Sequence, residues 1–223
     1  MIITVSRQFG AGGAEVARRV ADRLGWRVAD NEFIERVAAR AGLTPEQVAQ
    51  REERAPGFLD RLAWALTAAS AELTLASGDT LAELEEPQLV RITESIVGEL
   101  AREGRIVLVG RGAAAVLAYQ ERTIHVQVVA AVPIRMERIA GRLGCTMEEA
   151  RKKLHETDAR RARYHREYYG RDWADPVNYH FVINTGYLGI EGTADIVVRE
   201  AGRRGWALRG ELGGKVGGQE SGR

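Results

Sequence analysis

The segment Ser6-Arg7-Gln8-Phe9-Gly10-Ala11-Gly12-Gly13 has the composition of an anion-binding turn. Its three glycines let the backbone bend through positive φ and approach a ligand closely. A β-branched run from Ile2 to Val5 precedes the turn, and Val16, Val20 and Leu24 follow it at helical spacing up to Gly25. A strand, a glycine turn and a helix in that order aim backbone N–H groups and a positive helix end at one point, which suits a phosphate. The backbone of Gly10, Ala11, Gly12, Gly13 and Ala14 is the candidate cradle. The full phosphate-loop pattern, glycine, four residues, glycine, lysine and a hydroxyl residue, is incomplete here. With Gly12 as the second glycine, Arg7 stands at the first, Gly13 at the lysine and Ala14 at the hydroxyl position. The phosphate lysine and the magnesium-binding hydroxyl are both missing, and Arg7 is the cation placed to supply the lost charge from the other side of the loop. A turn of this kind could also do no more than pack a helix onto a strand.

Other candidate groups fall where strands end. Trp26 to Ala29 reads as a second short strand, with Asp30-Asn31 as cap chemistry for a helix carrying Phe33, Ile34 and Val37. Asp30 and Arg36 then lie at a strand's C-terminal end and on one face of the next helix, where ligands collect in open α/β sheets. An arginine there can fork two bonds onto a phosphate, and the plain alternative is a capping Asp with a solvated Arg. Ile106 to Val109 is a continuous apolar run suited to a strand buried on both faces, and it enters Gly110-Arg111-Gly112 directly. Arg111 therefore projects from the same sheet edge, toward a ligand or toward a structural carboxylate.

The elements around these groups alternate. Residues 44–104 read as helical, opened by Thr44-Pro45-Glu46-Gln47, with breaks near Pro56-Gly57, at Ser77-Gly78-Asp79 and before Pro87. Thr123 to Ala130 is a further strand, Pro133 opens a helix to about Leu143, and Thr146 caps a long basic helix. Tyr179 to Asn184 forms the last strand, with a turn at Thr185-Gly186 and a helix from Ile190 to about Arg203. Five strands alternating with helices predict a parallel sheet covered on both faces. The glycine-rich polar tail, residues 207–223, predicts disorder.

Composition sets bounds. The 223 residues, 45% hydrophobic and 28% charged, suit one domain with a sizeable core. Lys plus Arg number 32 against 31 Asp plus Glu, so no overall field attracts nucleic acid or an anionic membrane, and any anion site must be local. Cys145 is the single cysteine, so no intramolecular disulfide forms, and no Cys/His cluster has zinc-ligand spacing. With no signal-peptide pattern and no apolar run of spanning length, the expectation is a soluble cytoplasmic protein whose oligomeric state is unreadable.

From Ile2 to about Glu200 the chain resembles the cytidylate-kinase-like branch of the nucleoside-monophosphate kinases, a P-loop family. The resemblance rests on three segments: Ser6 to Gly13 as an altered phosphate loop, Val107 with Gly110-Arg111-Gly112, and Asn178-Tyr179 through Val182-Ile183-Asn184-Thr185. It implies a P-loop NTPase-like α/β fold, with a five-stranded parallel sheet sandwiched by helices. A helical acceptor-binding insertion at about 44–104 and a helical lid at about 144–172 complete one domain over 1–206. The family's Asp and Arg six residues apart match Asp30 and Arg36, and its acceptor-phosphate arginine matches Arg111. Its lid arginines, with an Asp among them, match Asp158 and Arg161 most directly, with Arg160, Arg163 and Arg166 as neighbours. The implied reaction moves the γ-phosphoryl of ATP, with magnesium, to a nucleoside monophosphate, CMP or dCMP, by cationic clamping and exclusion of water. In that reading Arg7, Asp158, Arg160 and Arg161 serve the transfer. The alternatives are an inactive nucleotide-binding regulatory or interaction protein, and a kinase for another small molecule.

Several residues take a plain reading. His125, His155, His165 and His180 lack partner spacing for a metal or nucleophile site. Cys145 has no base that the sequence nominates. Tyr164, Tyr168, Tyr169 and Trp173, interleaved with arginines, read as packing of the lid helix rather than a stacking platform for bases.

Overall fold

The computed structural model describes residues 1–30 and 86–206. The chain runs β1 (Ile2–Arg7), α1 (Gly13–Leu24), β2 (Arg27–Ala29), α2 (Glu86–Glu103), β3 (Ile106–Val109), α3 (Ala113–Val116), β4 (Thr123–Val129), α4 (Val132–Leu143), α5 (Met147–Tyr169), a 3-10 turn (Pro176–Asn178), β5 (Phe181–Asn184) and α6 (Thr185–Arg203). The strands form one parallel sheet in the order β2-β3-β1-β4-β5. From central β1 the chain leaves to one side for β2 and β3, then crosses to the other for β4 and β5. The carboxyl end of β1 is therefore a topological switch point, the place where such sheets bind ligands.

Alternation along the strands makes two different faces. Ile3, Val5, Val107, Val109, Ile124, Val126, Val128 and Ile183 pack with Val16, Val20 and Leu24 of α1 and Ala194, Val197 and Ala201 of α6. The opposite face mixes Ile2, Ile106 and Leu108 with buried Thr4, Ser6, His125 and Gln127, and α2 and α3 cover part of it. Those polar groups are paired, as buried polar groups must be. Thr4 Oγ1 and His125 Nδ1 lie 2.7 Å apart, Gln127 Nε2 donates to the Trp173 carbonyl, and Trp173 Nε1 donates to Ser6 Oγ. His125 and His180 stack, and the His125 backbone N–H donates to His180 Nδ1.

Three boundaries differ from the sequence reading. β1 continues through Ser6 and Arg7, because both stay in register with Gln127 and Val128 of β4. β5 starts at Phe181 rather than Tyr179, since Asp175 caps the preceding 3-10 turn. α6 begins at Thr185, capped by the Asn184 side chain on the Gly186 N–H, and a kink at Gly189 (φ 69°, ψ 177°) separates this first turn from the helix expected at Ile190. The capping box at the start of α5 is complete, with Thr146 and Glu149 exchanging side-chain and backbone bonds. α2 buries Ile96, Val97 and Leu100; residues 31–85, which include 44–85 of the expected insertion, lie outside the described residues, as does the tail 207–223. No helix among the described residues is long and apolar enough to cross a membrane.

Candidate functional site

The glycine turn leaves β1 at the switch point and enters α1. Gly10 (φ 79°) and Gly12 (φ 82°) occupy the left-handed region, and neither could carry a side chain where it lies. A Cβ on Gly10 would meet the Arg135 carbonyl at 2.8 Å, and one on Gly12 would drive into Ile190. Gly12 caps α1 with no side-chain acceptor, so the cap residue itself does not close the first-turn N–H groups. Gly13 is glycine for a different reason. A Cβ there would overlap Arg7 Cβ and meet Arg7 Cγ at 2.8 Å. The stem of Arg7 thus fills the space into which a phosphate-loop lysine at position 13 would start. Its guanidinium ends over Gly110, where an added Cβ would overlap Nη1 and meet Cζ at 2.9 Å. Burial pulls the Arg7 pKa down, opposed by the nearby carboxylate of Asp30.

The outer side of the turn is held by three helices. Arg161 Nη1 donates to the Arg7 carbonyl at 2.7 Å. The Phe9 N–H donates to Asp158 Oδ1 at 2.8 Å, while Arg135 Nη1 reaches the Phe9 carbonyl and pairs with Asp158 Oδ2 at 2.5 Å. Thr185 Oγ1 donates to the Ala11 carbonyl at 2.6 Å, and Arg138 Nη1 reaches the same carbonyl. The Gln8 side chain accepts from the Ala130 N–H. The guanidiniums of Arg142 and Arg161 lie over the Phe9 ring, at 5.2 and 6.0 Å from its centroid. Burial, then the charges of Arg7, Arg135 and Arg142, push Arg161 down to about 9 against the opposing pull of Asp158. A bound anion would relieve that crowding of positive charge.

Across the crevice, β3 ends in Gly110, Arg111 and Gly112 with φ of 71°, 58° and 66°. Three consecutive left-handed residues turn the chain back over the sheet edge, and a non-glycine residue rarely adopts this conformation. Gly112 faces the Tyr169 ring so closely that a Cβ would stand 2.6 Å from its hydroxyl. The C-terminal end of α5 thereby abuts the Arg111 turn, while Asp158 and Arg161 of the same helix touch the glycine turn.

The sequence profile of the cytidylate kinase-like family matches residues 2–187. The chain belongs to that family. Among relatives of this cytidylate kinase-like protein, the cytidylate kinase of Pyrococcus horikoshii is 26% identical over 197 residues, covering 88% of this chain and 86% of its own. That of Methanopyrus kandleri is 25% identical over 206 residues, covering 88% and 91%. The fold is similar to that of an uncharacterized protein from Eubacterium ventriosum, with a TM-score of 0.62 at 19% identity over 90% of this chain and 97% of that one. A shikimate kinase from Bacteroides thetaiotaomicron gives 0.50 at 14% identity over 91% and 98%. Family and fold make this a P-loop protein of the nucleotide-kinase type.

Within this cytidylate kinase-like protein, Arg7, Gly10, Ala11, Gly12, Gly13, Asp158 and Arg161 gather around one turn, and Asp30 approaches Arg7 from the end of β2. Ala14 follows on α1 without a hydroxyl. Arg160 is half-buried on α5 beside Arg161, and Arg111 crowns the neighbouring turn. Arg36 lies outside the described residues. Arg163 pairs with Glu167 at 3.8 Å on an exposed face, as a solvated helix residue does. Among the described residues no group of three or more His, Cys, Asp or Glu could hold a metal. Arg135, Arg138 and Thr185 are site residues that the sequence reading passed over. The signal was present: Arg135, Arg138 and Arg142 recur at i, i+3 and i+7 along one face of α4.

Proposed function

We propose that this protein transfers the γ-phosphoryl group of ATP to a nucleoside monophosphate, with CMP or dCMP as acceptor. The observation that carries the reading is the exchange of volume between positions 7 and 13. The space that lysine would enter from α1 is filled from β1 by Arg7, so a cation still reaches the crevice beside the glycine turn. Backbone N–H groups of Gly10, Gly12, Gly13 and Ala14 would cradle the donor phosphates and the Arg7 guanidinium would neutralise them, while Ala11, its N–H donating to the Gln8 carbonyl, would hold the shape of the cradle. The glycine cradle, which no Cβ could enter, and the crowded guanidiniums fit a polyphosphate.

Magnesium arrives as part of the nucleotide substrate and spreads charge over the transferring group. Ala14 supplies it no oxygen, and Asp30 is the carboxylate beside Arg7 that would orient the acceptor or a water on the ion. Arg111, together with Arg36, would hold the acceptor phosphate across the crevice. Arg161, with Arg160 as its helper, would stabilise charge on the group in flight, and closure of α5 would exclude water. The CMP or dCMP acceptor rests on the names of the relatives.

The test is ADP formation from ATP and magnesium with each nucleoside monophosphate in turn. Turnover fastest with CMP or dCMP is expected. Saturable ATP binding without turnover on any acceptor would replace this reading with a regulatory nucleotide-binding protein.

A further inference from the structure

A loop that grips an anion through its N–H groups must turn its carbonyl oxygens elsewhere, because each carbonyl facing the ligand would repel it. In this protein the carbonyls of Arg7, Gln8, Phe9 and Ala11 in the turn each accept from a donor. Arg161 takes that of Arg7, the Ala11 N–H that of Gln8, Arg135 that of Phe9, and Thr185 with Arg138 that of Ala11. Arg135 stands out among these partners. It is 5% exposed, it sits under the turn, and its Nε has no hydrogen-bond partner among the described residues. A buried guanidinium so incompletely satisfied is a poor stabilising device, since an apolar side chain of similar size packs there at lower cost. Its one carboxylate contact among the described residues is Asp158, which also accepts the Phe9 N–H.

From this we infer that the Arg135–Asp158 pair is a positioning element for the donor site. It clamps both polar groups of the Phe9 peptide backbone and fixes the carbonyls of the turn away from the phosphates. The pair joins α4 to α5, so it also sets the turn's shape relative to the helix that carries Arg161. Asp158 acts here through the turn and not by touching the transferring group. Arg142 and Arg161 add to the clamp, because both guanidiniums lie over the Phe9 ring in the middle of the turn.

The inference rests on the proposed ATP site, and the test separates the two. ATP affinity is measured by calorimetric titration, and KM and kcat by ADP release, for wild type, Asp158→Asn and the double variant Arg135→Met/Asp158→Leu. Thermal melts accompany each. The double variant removes both charges of the pair together, but it also takes the Asp158 carboxylate from Arg161 Nη1 at 3.5 Å and the acceptor from the Phe9 N–H, so it is expected to stay folded and to melt below the wild-type temperature. Its ATP dissociation constant is expected to rise about tenfold or more, the equivalent of one lost charge-assisted bond. Asp158→Asn keeps an acceptor for the Phe9 N–H and should fall between the two. Wild-type ATP affinity in a stably folded double variant would overturn the inference alone. So would a fall in kcat with ATP affinity unchanged, which would place Asp158 on the reacting group. Absence of ATP binding by the wild-type protein would overturn the parent reading instead.

Discussion

Replacing Gly110 with alanine would displace Arg7 without removing its charge. The new Cβ would overlap Arg7 Nη1, with Cζ at 2.9 Å and Nη2 at 3.4 Å. The guanidinium must then retreat by about 1 Å or more, enough to break a charge-assisted hydrogen bond to a phosphate. Such a bond contributes about 1.5–3 kcal/mol, so ATP affinity should fall roughly 10- to 150-fold. A second effect is backbone strain, because φ at this position is 71°. A residue with a Cβ costs about 1–2 kcal/mol in that conformation, which lowers the melting temperature by about 2–8 °C in a chain of this size. Gly112→Ala separates the effects. Its φ of 66° imposes similar strain, but its Cβ would meet Tyr169 and leave Arg7 in place. Calorimetric ATP titration and thermal melts of both variants are the assay. Gly110→Ala should lose stability and affinity, whereas Gly112→Ala should lose stability alone. If Gly110→Ala melts lower yet binds ATP within about twofold of wild type, Arg7 does not serve the donor phosphates.

Restoring the consensus lysine should fail. Gly13→Lys drives its stem into Arg7, so it should lower the melting temperature and weaken ATP binding, whereas the exchange Arg7→Gly/Gly13→Lys should recover affinity. Thr185→Val removes the hydroxyl that donates to the Ala11 carbonyl at 2.6 Å and should cost about 1 kcal/mol in urea unfolding together with a several-fold rise in ATP KM; Thr185→Ser should retain both. Acid should destabilise the fold through His125, which burial and then His180 hold down to about 4. The folded state keeps the ring neutral while the unfolded chain takes up a proton, so the contribution is full above about pH 6.5, declines as pH falls toward 4, and totals about 3 kcal/mol. Urea titrations at pH 7, 5.5 and 4.5 would show this slope, and His125→Gln should reduce it, leaving the part due to His165, which burial and then Arg171 also hold down to about 4.

Much of the scaffold is written locally. β-branched runs leading into glycine turns mark β1 and β3, and Thr146 followed by Glu149 announces the start of α5. Gly110-Arg111-Gly112 can be seen as a turn, although the left-handed φ of Arg111 itself cannot. The helix at Thr185 was missed because its cap is the side chain of Asn184, a strand residue, and Gly189 breaks the periodicity that would have revealed it. Around the site, the glycines and Arg7 are adjacent in sequence and were found together. Arg135, Arg138 and Thr185 lie more than 120 residues from the turn they hold, and that proximity is created only when β4 and β5 pair beside β1. Their contacts are tertiary, so helical spacing could suggest a shared face on α4 but not what that face would grip.

The shared space between Arg7 and Gly13 amounts to an exclusion rule between two columns of an alignment. Any residue with a Cβ at the first position demands glycine at the second, and a lysine at the second demands glycine at the first. Relatives should therefore divide into two populations, with mixed pairs depleted. Searches that require the lysine will pass over one whole population, and a search for arginine, five residues and glycine after a β-branched strand will recover it.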